Sequence, residues 1–206
     1  KAIIEKPSPE KLPSDLVKLV VDYIRDSRKL IAFLKRIRTD SDNQYELALN
    51  QYISSSANVQ YLVNEGEWLS IKYPWHILAL SRYFMAGNKK NICLGKNVKI
   101  SPTAKIVGPC YIGDNSIIGD FSLIVNSQIG KDCLVGGYCE VTRSYLGNQV
   151  MLHRNYVGDS VLDDGVLFGA GAVTANYRFD QRPIQSLVKQ QKLSTDLFKF
   201  GAIVGQ

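Results

Sequence analysis

Residues 153–177 read HRNYVGDSVLDDGVLFGAGAVTANY and contain His153, one of only two histidines in the chain. An imidazole titrates near neutrality, so it can accept a proton from a nucleophile and release it again within one reaction cycle. After Arg154 the stretch carries no further Lys or Arg and is rich in Val, Gly and Ala. Two readings stand for His153: a general base on a rigid β scaffold facing a ligand cleft, or a half-buried histidine satisfied by a carbonyl. Tyr156 and Asn176 add a phenol and a carboxamide, each able to donate and accept. The small run Gly169-Ala170-Gly171 exposes main chain. The other histidine, His76, sits in PWHIL, where a helix-capping or surface role is expected. The four cysteines (Cys93, Cys110, Cys133 and Cys139) form no C-x-x-C pair, so neither zinc binding nor thioredoxin-type chemistry has support.

The elements that must position these groups follow from two different periods. In the first ninety residues apolar side chains recur every three to four positions. Leu16, Leu19, Val20, Tyr23, Leu30, Phe33 and Leu34 can share one face of a helix over 14–36, with Asp15 as cap after Pro13. A second helix is predicted over 45–53, a strand over 59–63 and a third helix over 74–85. From residue 94 the period changes. Aliphatic residues fall six apart at Leu94, Ile100, Ile106, Ile112, Ile118 and Ile124. They continue through Ile129, Val135, Val141, Leu146, Leu152, Val157, Leu162 and Phe168 at intervals of six or five. Gly often follows the aliphatic residue, and a small or aliphatic residue often stands four after it. Neither a hairpin sheet nor an amphipathic helix sustains a period of six. A parallel β-helix does, with one short strand and one turn per hexad and about three hexads per coil. The aliphatic residues fill its axis. Glycine is expected to supply positive φ or close approach at the corners, and Cys110, Cys133 and Cys139 fall at small positions as buried free thiols.

Bulk properties narrow the function. A chain of 206 residues with 45% hydrophobic content can bury one core or two small ones. The formal charge of +6 and pI near 9.1 suit acidic small molecules such as sugar phosphates. No Lys/Arg run exceeds two residues and no aromatic-basic interleaving occurs, so no nucleic-acid role is expected. No apolar run reaches membrane-spanning length and no signal peptide is seen, giving a cytoplasmic expectation without a membrane partner. The sequence starts at Lys1 and stops within a further repeat turn, and is therefore read as a fragment.

The hexads resemble the left-handed hexapeptide β-helix of acyltransferases, and that resemblance supplies the hand. His153-Arg154-Asn155-Tyr156-Val157-Gly158-Asp159-Ser160, followed by Gly169-Ala170-Gly171-Ala172 and Thr174-Ala175-Asn176-Tyr177, is similar to a narrower group. This is the family of bifunctional UDP-N-acetylglucosamine pyrophosphorylase/glucosamine-1-phosphate N-acetyltransferases, in its archaeal-like sugar-1-phosphate nucleotidylyltransferase/acetyltransferase form. The likeness covers about residues 90–206. Upstream, Ile4-Glu5-Lys6-Pro7, Glu46 and the stretch from Glu67 to Leu78 resemble the end of a sugar-nucleotidyltransferase domain. The expected organisation is thus a degenerate nucleotidyltransferase-like remnant over 1–88 and a left-handed β-helix over 89–206.

The resemblance implies an N-acetyltransferase that moves acetyl from acetyl-CoA to a hexosamine 1-phosphate, working as a homotrimer. It assigns His153 as general base, Tyr156, Asn176, Arg143 and Arg182 to the sugar phosphate, and Gly169, Ala170 and Gly171 to the thioester. No metal site is expected, because Ser70 stands where the nucleotidyltransferase motif has its metal aspartate. A hydroxyl cannot replace that charged oxygen, so magnesium enters only where a nucleotidyltransferase half outside this chain is active. The departures are specific. Thr142 occupies a position where the family has Lys, leaving neighbouring Arg143, and Leu167 replaces an Asn. These support two alternatives: a non-catalytic partner subunit, or a pyrophosphorylase whose catalytic half lies upstream.

Overall fold

The structure, a computed structural model, describes residues 2–4, 7–8, 10, 12–19, 21–55 and 58–205. It divides into two compact units, Lys1–Gly66 and Glu67–Gln206.

In the first unit, α1 (Ser27–Arg36) and α2 (Gln44–Ser55) pack through a small core of Leu30, Ile37 and Ala48. The helix predicted from residue 14 starts only at 27. Its cap is Asp26, whose carboxylate accepts the Lys29 N–H at 3.1 Å, rather than Asp15. Upstream, Leu16 and Tyr23 of the predicted stripe are exposed, so this part of it has no core to bury it. β-Branched and aromatic residues are poor helix formers without such burial. Val20 lies outside the described residues. No strand forms over 59–63.

The second unit opens with α3 (His76–Ala86). His76 Nδ1 accepts the Lys72 N–H at 3.1 Å, in keeping with its expected local role. Trp75 and Leu78 bury against Val161 and Phe200, so α3 belongs to the second unit. The two compact units meet at 66/67, and the six-residue period behind the expected 88/89 boundary begins within the second.

The strands then follow the six-residue beat. The first coil holds β1 (Ile92–Leu94), β2 (Lys99–Ile100) and β3 (Lys105–Val107), and the second β4 (Cys110–Ile112), β5 (Ile117–Ile118) and β6 (Leu123–Val125). The third holds β7 (Gln128–Ile129), β8 (Leu134–Val135) and β9 (Glu140–Thr142). The fourth holds β10 (Tyr145–Leu146), β11 (Met151–Leu152) and β12 (Tyr156–Gly158). A fifth coil has β13 (Val161–Leu162), β14 (Leu167–Phe168) and Val173 bridged to Tyr156. An excursion carrying the antiparallel hairpin β15 (Gln185–Val188) and β16 (Gln191–Ser194) precedes β17 (Ile203–Val204), which returns to pair with β13. Three parallel sheets result, ordered β1-β4-β7-β10-β13-β17, β2-β5-β8-β11-β14 and β3-β6-β9-β12. This is the parallel β-helix that the repeat implied, with the left hand that the resemblance supplied.

Ile112, Ile118, Ile124, Ile129, Val135 and Val141 are among the fully buried axial residues. Each contributes about 1.5–3 kcal/mol by leaving water. Leu94 of the first coil is half exposed because it has a coil on one side only. The small positions do more than avoid collision. Ser144 Oγ accepts the Ser160 N–H at 3.1 Å and donates to Thr142 O at 2.9 Å; Ser127 repeats the pattern lower down, and Ser116 Oγ accepts the Cys133 N–H but donates to Gly130 O at 2.8 Å.

Of the two reasons expected for the repeat glycines, close approach is the one that holds. Positive φ at the corners belongs to other residues, among them Asn115, Phe121, Asp132, Tyr138 and Gln149. Gly113 is needed for space: a Cβ there would lie 2.6 Å from the carbonyl carbon of Gly130 in the coil above.

All four cysteines are free, and three are buried. Burial raises the Cys110 and Cys133 thiols above their ordinary range. An aromatic disulfide reagent is therefore expected to titrate only Cys93 in the folded protein and all four thiols in denaturant. Rapid labelling of a second thiol without denaturant would contradict the axial packing.

Candidate functional site

The third to fifth coils carry the predicted residues on two corners of one sheet. His153 follows β11 and is exposed, so its imidazole does not enter the coil interior. Its turn is built by a residue to which the sequence reading gave no role. Asn155, 3% exposed, occupies a position that is small in other coils. Its Oδ1 accepts the His153 N–H at 2.5 Å, and its Nδ2 donates to Gly169 O (2.8 Å) and Ala172 O (3.2 Å). At the same corner lower in the stack, Gly119 N and Gly136 N donate to the coil above, to Val135 O and Leu152 O. At His153 the donor turns to a side chain instead, and this holds the histidine's backbone against the fifth coil.

Gly169-Ala170-Gly171 lies above this corner. The Gly171 N–H, at φ +77°, is shared between His153 O (3.3 Å) and Arg154 O (3.2 Å), so it is not free to serve an incoming carbonyl. β14 is the last strand of its sheet among the described residues, and within them neither the Gly169 nor the Ala170 N–H has a backbone acceptor. Of the three predicted donors, these two remain.

At the other corner, Arg143 and Asp159 both adopt positive φ, one coil apart. Arg143 Nε donates to Asp159 Oδ1 and its Nη2 to Oδ2, each at 2.7 Å. The Asp159 side chain is 7% exposed. The paired carboxylate pushes the Arg143 guanidinium even above its ordinary value, so it stays charged at any working pH. Asn176 Nδ2 donates to Asp159 Oδ2 at 2.6 Å and to the Tyr156 hydroxyl at 3.1 Å. Tyr156 and Asn176 lie over Gly158, where a Cβ would come within 2.6 Å of either. Three of the four predicted substrate residues are thus joined through one carboxylate. The fourth is not: Arg182 lies exposed beyond Arg178 and Asp180, and its own N–H donates to Asp180 Oδ1 at 3.3 Å.

Asp159 and Asn155 were missed as functional residues, although a signal for Asp159 existed. It stands 16 residues after Arg143 and 17 before Asn176, one coil in each direction. Two polar atoms near this corner are orphaned. Thr142 Oγ1 and Asn126 Oδ1 are buried without a hydrogen-bond partner among the described residues. Leu167, by contrast, is exposed at the open edge.

Fold and repeat together define the class: this is a hexapeptide-repeat β-helix protein, and the bacterial transferase hexapeptide (six repeats) pattern matches residues 94–126. More particularly, the chain is similar along 98% of its length to proteins that bear two activities in their names. It is 30% identical over 228 residues to the bifunctional sugar-1-phosphate nucleotidylyltransferase/acetyltransferase of Sulfurisphaera tokodaii, covering 54% of that protein. It is 27% identical over 225 residues to the bifunctional protein GlmU of Methanococcus maripaludis, covering 53%. The chain thus spans about half the length of the curated relatives it matches. Among solved structures, the acetyltransferase domain of PglB from Neisseria gonorrhoeae in complex with acetyl coenzyme A overlaps it with a TM-score of 0.33. That pair is 11% identical, and the overlap covers 48% of this chain and 58% of that one.

Proposed function

We propose that the chain forms the acetyl-transfer part of a sugar-nucleotide enzyme. It carries acetyl from acetyl-CoA to the amine of a hexosamine 1-phosphate, on the way to a UDP-N-acetylhexosamine. The observation that carries this reading is the exposed His153, braced by Asn155, at one corner of the sheet that bears Tyr156 and, at its other corner, Asn176. The similarity to proteins named for acetyl transfer supports it. His153 takes the proton as the amine attacks the thioester carbonyl, and the thiolate leaves and is protonated as CoA. The N–H groups of Gly169 and Ala170 are suited to the developing oxyanion. Ser70 offers only a hydroxyl and lies in an exposed stretch without regular structure, so nucleotidyl transfer through magnesium forms no part of this reading. A cytoplasmic setting suits four free thiols.

A homotrimer belongs to the same proposal. On the sheet β2-β5-β8-β11-β14, the outward residues Ile117, Leu134, Met151 and Leu167 stand in register and are all substantially exposed. Phe121 and Tyr138 stack beside them with ring centroids 5.1 Å apart. An apolar stripe of this length is a surface for association, and His153 lies at its edge. The test is amine-dependent CoA release by wild type and by Leu134→Glu. Wild type is expected to sediment as a trimer and turn over glucosamine 1-phosphate. The variant is expected to sediment as a monomer and lose at least 90% of that turnover. A trimeric wild type that is silent with every amino-sugar phosphate would instead favour the non-catalytic subunit.

A further inference from the structure

The structure points to a specificity device in the Arg143–Asp159 pair, and this inference rests on the amino-sugar reading above. Arg143 was the cation left for a sugar phosphate once Thr142 had replaced a lysine. Yet both oxygens of Asp159 already face it, at 2.7 Å each, in the fork geometry that an incoming phosphate would need. The carboxylate is buried and held by Arg143 and by Asn176 Nδ2 at 2.6 Å, and the backbone that carries it is pinned from both sides. Asp159 N donates to Thr142 O at 2.8 Å, and Gly201 N donates to Asp159 O at 2.9 Å. An anion approaching Arg143 would therefore meet a neutral pair with a fixed negative charge behind it.

The groups around that pair are neutral. Thr142 Oγ1 and Asn126 Oδ1 are buried and unpartnered, and Asn126 shares the corner one coil below Arg143. Asn176 and the Tyr156 hydroxyl complete the set. We infer that Asp159 determines what this corner accepts. By compensating the charge of Arg143 it makes the corner a hydroxyl-reading subsite, so the acceptor sugar enters with a neutral, hydroxyl-bearing face toward Arg143. Any phosphate on the acceptor is held elsewhere. Asp159 acts through Arg143 and Asn176 and is a positioning residue rather than a catalytic one.

The test is calorimetric binding of glucosamine 1-phosphate and of glucosamine to the full chain, in wild type, Arg143→Gln and Asp159→Asn. The quantity read is the ratio of the two affinities, with thermal melting as the control for folding. The ratio is expected to agree within about twofold between wild type and Arg143→Gln. In Asp159→Asn, where the guanidinium is released to bind phosphate, it is expected to rise by about tenfold. A ratio that collapses in Arg143→Gln would overturn the inference, as would an unchanged ratio in a folded Asp159→Asn or a wild type that binds neither sugar. Should Asp159→Asn not fold, Arg143→Gln decides alone. Acetyl transfer is scored separately on the same samples. Transfer accompanied by a collapsed ratio removes this inference and leaves the acetyltransferase standing, whereas the expected ratios without transfer do the reverse.

Discussion

Replacing His153 by alanine is expected to lower amine-dependent CoA release by about 10²–10⁴-fold, the usual worth of a positioned general base. The protein should meanwhile fold and melt nearly as before. The imidazole is exposed, and what holds its turn is its backbone N–H on Asn155, which alanine retains. Surface substitutions of this kind shift stability by about 0.5 kcal/mol or less. The loss should fall on kcat more than on KM, because the proton moves only as the amine attacks. His153→Gln should be as inactive as alanine, since an amide keeps the hydrogen bonds but cannot carry the proton. Turnover within threefold of wild type in the alanine variant would remove His153 as base and return it to a turn residue. The readout is CoA thiol formed with glucosamine 1-phosphate, with circular dichroism and sedimentation confirming the fold.

Gly113→Ala is expected to destabilise the protein by about 3 kcal/mol, near the upper end for overpacking. The sign is what makes the experiment informative. Gly113 has no positive φ, so considerations of the unfolded chain alone predict a gain of about 0.4–1 kcal/mol from alanine. Against this, the new methyl group would sit 2.6 Å from both the carbonyl carbon and oxygen of Gly130, and 2.8 Å from Lys131 N. These are backbone atoms in a stack whose rungs are fixed by hydrogen bonds such as Gly113 N to Ile129 O at 2.9 Å. They cannot give way without breaking that ladder. Denaturant unfolding of the two proteins decides the matter, and equal or greater stability in the variant would mean that the coil spacing is looser than described.

The β-helix was legible in the sequence because one constraint dominates it: every coil must place an aliphatic residue on the same axis, and Ile112, Ile118 and Ile124 do so at a fixed interval. The first unit was less legible. Its apolar period ran on through Leu16 and Tyr23, but helix α1 begins where Asp26 caps it and Leu30 finds a core. A pattern predicts a face without saying whether anything will cover it. At the site, resemblance assigned Tyr156, Asn176 and Arg143 individually. It gave no hint that Asp159 links them, because that link depends on stacking between coils rather than on adjacency in the chain. Counting forward by one coil from each charged residue would have found it. Asn155 was harder to see: a residue at a small position draws attention only when its amide is known to replace a missing rung of the ladder.

The excursion between the fifth coil and β17 is closed at its base. Phe200 N donates to Asn176 O at 3.0 Å, and Tyr177 and Lys199 pair as antiparallel neighbours. The prism is thus sutured across its own interruption, and the strand that resumes at Ile203 finds its register without reference to the length of what was looped out. Such a seam separates the chain into two parts. The rungs are constrained by one another, while a change in the length of the looped-out segment beside Asn176 leaves their register as it is.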